Sequence, residues 1–376
     1  MLGMHRSGTS LLGGLLFRCG FFVGAKRDLI WGADPNDNKK GFFERTDVVL
    51  QNDWLLKQQR VHWSLYTDRF KPEEAGTVVS AALATRGAGQ EPEAFHGDAE
   101  ENWRRYGAKG LKALKVAALG SQPWALKDPR LCLTLPFWMP LLSSSAMAAK
   151  SSPSPFTSTV VRPGAGPSAT GTAPALLFTY RHPVEVAKSL QKREGFLLKR
   201  ALLLWLSYNQ QALVYSSSGS AGSGAAAEAR ARPPCRVVTS NARLAASPLR
   251  EVKRLTASLR ERCGLKVPRD IAAADVEEFV DPTLQRNHAL SPSSSSGQPC
   301  DPGASWESFQ LVNDPKHNPT AAVTPKQRRV LRMALEAFCA MENGTVFAAE
   351  EIPGGRLALT ETAQFQRFYS EPLPWG

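Results

Sequence analysis

The chain of 376 residues contains no apolar stretch near the roughly 18–20 residues that a membrane-crossing helix requires. Its six cysteines (Cys19, Cys132, Cys235, Cys263, Cys300 and Cys339) include no C-x-x-C pair, which argues against a structural zinc site. Their even number permits disulfides without requiring them, and Cys19 and Cys132 stand among apolar neighbours, where a thiol behaves as a small hydrophobe. No basic run is interleaved with aromatics, so the formal charge of +12 does not read as a nucleic-acid module. That excess suits an anionic small-molecule partner instead. No internal repeat is evident, and a hydrophobic content of 43% is that of a folded domain. The most informative absence is local: a glycine-spaced loop near the N-terminus lacks the lysine that an ATP-hydrolysing loop carries.

That loop is Gly3-Met4-His5-Arg6-Ser7-Gly8-Thr9-Ser10. Glycines at this spacing let backbone N–H groups converge on anionic oxygens, and the apolar run from Leu11 to Phe17 predicts a helix closing at Gly20. The amides would then stand at a helix N-terminus, where the dipole also favours an anion. Thr9 occupies the lysine position and the cation lies three residues back, at Arg6, whose planar guanidinium can hold two oxygens of one group. A glycine-rich turn ahead of a core helix is the other reading of such a pattern. Only Met1 and Leu2 precede the loop, so the buried strand expected before it is either clipped or continued in a longer gene product.

A second segment adds to the first. Ala175 to Tyr180 reads as a buried strand, ending in Arg181-His182-Pro183 before a helical stretch that contains Ser189. Arg181 and Ser189 could grip one phosphate across that turn. Together the loop and this Arg-x7-Ser pair resemble the sulfotransferases that use 3′-phosphoadenosine 5′-phosphosulfate (PAPS). Asn38-Lys39-Lys40-Gly41-Phe42-Phe43-Glu44 resembles the Asn-Pro-Lys-Gly-Tyr-Phe-Glu block of a branch common in bacteria and algae, with Lys39 where proline is usual. Lys127-Asp128-Pro129-Arg130 resembles the strand end of that branch, and tyrosylprotein sulfotransferases carry a similar Lys-Asp-Pro.

The resemblance implies a doubly wound, mostly parallel α/β sheet with helices on both faces, of the P-loop NTPase-like kind. It implies that Arg6, Ser7, Gly8, Thr9 and Ser10 bind the 5′-phosphosulfate and that Arg181 with Ser189 binds the 3′-phosphate. Arg6 and Lys127 would stabilise the leaving group, and no metal is called for. Glu44, which Phe42 and Phe43 could desolvate, is the expected general base, with His62 as the alternative. The acceptor is open too, among a carbohydrate, a protein tyrosine and a small molecule. The Gly-rich basic segment that closes the nucleotide site of cytosolic members is missing. A P-loop kinase or NTPase and a non-catalytic nucleotide-binding homologue are the competing readings.

Ser/Ala/Pro/Gly-rich stretches at about 143–172 and 216–234 read as insertions in a domain spanning 1–285, followed by a low-complexity linker at 286–305. The segment 306–376 is expected to pack on the same domain. Helices are expected around Glu73–Thr85 and Glu100–Lys115, a strand at Arg236–Thr239, and a helix from Leu249 that stops at Cys263-Gly264. Asn343-Gly344-Thr345 is a glycosylation sequon, which matters on a secretory route. Golgi lumen and cytoplasm both remain open as compartments.

Overall fold

In the computed structural model the described residues are 1–30, 38, 40–58, 61–64, 101–119, 122–142, 174–217, 234–280, 300, 311 and 323–344. The segments 143–172 and 218–233, most of 286–305 and the expected helix at Glu73–Thr85 lie outside them. The described chain is mostly helical around a small parallel sheet. Its elements are α1 (Thr9–Arg18), α2 (Thr46–Gln58), α3 (Ala108–Leu119), α4 (Leu131–Leu142), β1 (Leu176–Tyr180), α5 (Pro183–Glu194) and α6 (Leu198–Ser217). They continue with β2 (Arg236–Ser240), α7 (Asn241–Ala246), α8 (Pro248–Glu261), α9 (Ala273–Phe279) and α10 (Pro325–Glu342).

The two strands were legible as short β-branched and aromatic runs, and they pair in parallel from Leu176↔Arg236 to Tyr180↔Ser240. Single parallel bridges extend the pattern: Leu2 to Phe178, and Phe22 to Trp124. Leu2 N–H donates to Leu177 O and Thr179 N–H to Leu2 O, so the residue just before the glycine loop lies along β1. The strand expected to end at Lys127 is reduced to the bridge at Trp124 and the hydrogen bond from Ala125 N–H to Phe22 O. Of the doubly wound sheet, the described residues therefore show one parallel pair and these flanking bridges.

Both faces of the pair are covered, as the period-two alternation of a buried parallel strand requires. Phe178, Tyr180 and Val238 join a large cluster with Trp138 of α4, Val184 of α5, Leu204 and Trp205 of α6 and Phe338 of α10. Leu177 and Val237 face the other way, onto Leu12 and Leu15 of α1, Val252 and Leu255 of α8 and Phe279 of α9. Burying a side chain of this size contributes about 1.5–3 kcal/mol, so these two layers dominate the stability of the fold.

Local signals set the helix ends. Proline occupies the first turn of α5, α8 and α10, where its missing N–H costs nothing. Thr324 and Gln327 close α10 with a reciprocal capping box. The helix expected around Glu100–Lys115 is present but contains a π-helical turn at Trp103–Gly107 before α3. Cys19 and Cys132 are free and buried, while Cys235 pairs with Cys263 and Cys300 with Cys339. The bridges close loops of 28 and 39 residues, each stabilising the fold by about 3–4 kcal/mol on the chain-entropy view.

Candidate functional site

The loop between residue 2 and α1 is held open by backbone geometry. Gly3 and Gly8 have φ of 153° and 83°, and a Cβ on either would stand 2.5 Å from Thr179 O or 2.2 Å from Asn241 Nδ2. Arg6 also adopts a left-handed φ of 67°, an uncommon conformation outside glycine that tends to survive where surrounding structure enforces it. Gly8 caps α1 with no side-chain hydrogen bond, and the first intrahelical bond is Leu12 N–H to Gly8 O. The amides of Thr9, Ser10 and Leu11 are thus the first-turn donors of a helix N-terminus.

Arg6, turned by that backbone, donates from Nε to Ser189 Oγ at 2.8 Å. Arg181 donates to Arg6 O at 3.2 Å and from Nε to Glu185 Oε2 at 2.7 Å. Arg6, Arg181 and Ser189 therefore form one cluster, although the sequence reading assigns Arg6 to a different phosphate from the other two. Ser7 is fully buried, and among the described residues neither its Oγ nor the buried Oδ1 of Asn241 has a hydrogen-bond partner. His182 packs on Phe338 with ring centroids 4.8 Å apart, and burial, reinforced by Arg181, lowers its pKa to about 4.

A second cluster meets the loop at Ser10. Residues Gly41 and Phe43 have φ of 93° and 57°, and this kinked turn delivers Glu44 inward, just ahead of α2. Glu44 is ion-paired with Lys127, whose ammonium also donates to Phe42 O at 3.0 Å and to Ser10 Oγ at 3.3 Å. Lys127 is thus buried against Glu44 rather than paired with Asp128 at the surface. Burial raises the Glu44 pKa, with Lys127 opposing the rise. Asp128 is held by Arg130 at 3.0 Å and by Asn52 Nδ2 at 2.7 Å, and Arg130 reaches on to Asp53 at 2.6 Å. The network is closed by Trp138 Nε1 and Thr134 Oγ1, which both donate to Asn52 Oδ1.

His62 is exposed and shares a 2.9 Å hydrogen bond with Ser64. It reaches the loop through a ring chain: His62 to Trp63 at 5.6 Å, then Trp63 to His5 at 4.5 Å. His5 also meets Tyr208 edge-on at 5.6 Å, and burial, with Arg130 and Lys127 nearby, lowers its pKa well below the usual histidine range. Trp205 and Tyr208 are fully buried, as their helical spacing indicates, and hydrogen-bond Arg181 O and Trp63 O. An apolar cavity of about 70 Å³, lined by residues including Leu16, Phe21, Leu135 and Met139, contains none of the predicted site residues.

Sequence reasoning missed Asn241 and Glu185. Asn241 begins α7 directly after β2, at the carboxyl end of a parallel strand where open α/β sheets bind ligands, so its place was a usable signal. Glu185, buried beside Arg181, left only a four-residue spacing to find it by. Among the described residues no group of histidines, cysteines and carboxylates is placed to hold a metal ion, and no helix is long and apolar enough to cross a membrane. Comparison with protein-family models, curated proteins and solved structures finds no significant match to this chain.

Proposed function

We propose that the chain is a PAPS-dependent sulfotransferase built on a doubly wound P-loop-like fold, moving a sulfuryl group to a hydroxyl or amine of an acceptor. The observation that carries the reading is the convergence, on one loop, of the uncapped amides at Thr9–Ser10 with Arg6, Arg181, Ser189, Lys127 and Glu44. Five residues from four distant stretches of sequence meet there. The parallel pair β1–β2, with Leu2 along β1 and helices on both faces, supports the fold. Ser7 Oγ and Asn241 Oδ1, without partners among the described residues, fit a polar ligand seated against the loop, because buried polar atoms otherwise find partners.

In this reading Arg6, Arg181 and Ser189 bind the anionic nucleotide, with the loop amides of Gly8, Thr9 and Ser10. Glu185 holds the Arg181 guanidinium in position. Lys127 supplies positive charge where the bridging phosphate oxygen becomes anionic, and needs no reorganisation because Ser10, Phe42 and Glu44 already fix its ammonium. Glu44 accepts the acceptor's proton; its raised pKa makes it a stronger base than an exposed carboxylate. Proton uptake by Glu44 would free Lys127 to favour the leaving group, coupling the two events.

The test is transfer of ³⁵S from labelled PAPS to a panel of carbohydrates, tyrosine peptides and phenols. The proposal expects label in at least one class, lost in Glu44→Gln. Binding of the nucleotide product without transfer to any class would favour the non-catalytic homologue. Phosphoryl transfer from ATP instead would place the chain among P-loop kinases.

A further inference from the structure

Four of the six cysteines are paired and the two that are not, Cys19 and Cys132, are buried. The pairs have Cα–Cα separations of 5.4 and 5.1 Å, inside the range that a disulfide spans without backbone movement. Cys235–Cys263 ties the start of β2 to the end of α8, and Cys300–Cys339 ties a distant segment to the last turns of α10. Two such bonds persist in an oxidising compartment and are rare where thiol reductants dominate.

The second bridge lies one turn from the sequon. Asn343 caps α10 and is exposed, and its Oδ1 accepts from Cys300 N–H at 3.3 Å. That bond uses the carbonyl oxygen and leaves the amide nitrogen Nδ2, the atom that carries an N-linked glycan. Gly344, with φ of 73°, turns the chain away from the helix end, and it satisfies the requirement that the middle residue of the sequon not be proline. An exposed sequon asparagine and two disulfides are independent marks of one itinerary.

We infer that this chain is oxidised at Cys235–Cys263 and Cys300–Cys339 and N-glycosylated at Asn343 on a secretory route. Each thiol pair passes two electrons and two protons to the disulfide of an oxidoreductase, which leaves as a dithiol. At Asn343 the Nδ2–C1 bond forms as the sugar's C1–O bond to a lipid-pyrophosphate carrier breaks. The carrier departs as the pyrophosphate and the nitrogen loses one proton. Neither step depends on the sulfotransferase reading.

The test uses the full-length protein recovered from its source cells. Alkylation under denaturing conditions should label two cysteines before reduction and six after it. Peptide-N-glycosidase should raise the gel mobility and convert Asn343 to aspartate in the peptide mass spectrum. Asn343→Gln and Thr345→Ala, expressed in the same cells, should lose the mobility shift, whereas Thr345→Ser should keep it. Labelling of all six cysteines without reduction overturns the inference. So does an unmodified Asn343 peptide, or loss of the shift in Thr345→Ser.

Discussion

The two charge clusters that flank the glycine loop are built on opposite plans. On one side Glu44, Asp128 and Asp53 face Lys127 and Arg130, three negative groups against two positive ones, every one of them in an ion pair. On the other side Arg181 is ion-paired with Glu185 and donates to Arg6 O, and Arg6 in turn donates to Ser189, a neutral hydroxyl. Buried charges tied into ion pairs hold each other and their backbone; guanidiniums grouped beside helix N-terminal amides are where an added anion gains most. One cluster is therefore read as pre-set machinery and the other as a receptor for negative charge.

Glu44→Gln should have the largest effect on the first cluster. The amide keeps an acceptor for Lys127 but cannot take a proton, so turnover should fall by about two to four orders of magnitude with the fold intact by circular dichroism. Normal turnover in this variant, with His62→Ala inactive, would move the base to His62. Next in size is Lys127→Met, which leaves the Glu44 carboxylate buried without its partner. Thermal and denaturant unfolding should show a loss of about 3–5 kcal/mol, and most of it should return in the Glu44→Gln/Lys127→Met double variant. A Lys127→Met protein of unchanged stability would mean the buried Lys127–Glu44 pair does not hold the fold as described.

His182 tests the cationic side through pH. Its folded pKa of about 4 lies below the unfolded value near 6.5, so between these values the unfolded chain binds more protons. Stability is then fully present above about pH 6.5 and declines as pH falls toward 4, by about 3 kcal/mol from this group. His182→Phe should flatten that part of the stability–pH curve. Arg181→Ala should raise the His182 pKa, read by NMR titration, because the guanidinium is one of the two causes of the depression.

Much of this layout was legible in the chain, and the rest was lost for identifiable reasons. Both strands, the loop, α1 and the glycine stop after α8 follow from short-range rules: apolar runs, capping residues and left-handed glycines. The meeting of Glu44 with Lys127 spans 83 positions, and that of Arg6 with Ser189 spans 183. No spacing rule reaches that far; only the closing of the sheet brings them together. Disulfide connectivity is equally silent, since six cysteines allow many pairings. The π-helical turn at Trp103–Gly107 escaped because its residues keep a helical apolar pattern.

Whether the cationic cluster binds a nucleotide is decided by calorimetric titration with 3′-phosphoadenosine 5′-phosphate and, separately, with Mg·ATP. The bisphosphate should bind without Mg²⁺, with about a 10- to 100-fold loss of affinity in Arg181→Ala, the range for a hydrogen bond to a charged group. Preference for Mg·ATP, or bisphosphate affinity unchanged in Arg181→Ala, would contradict a bisphosphate site at this cluster.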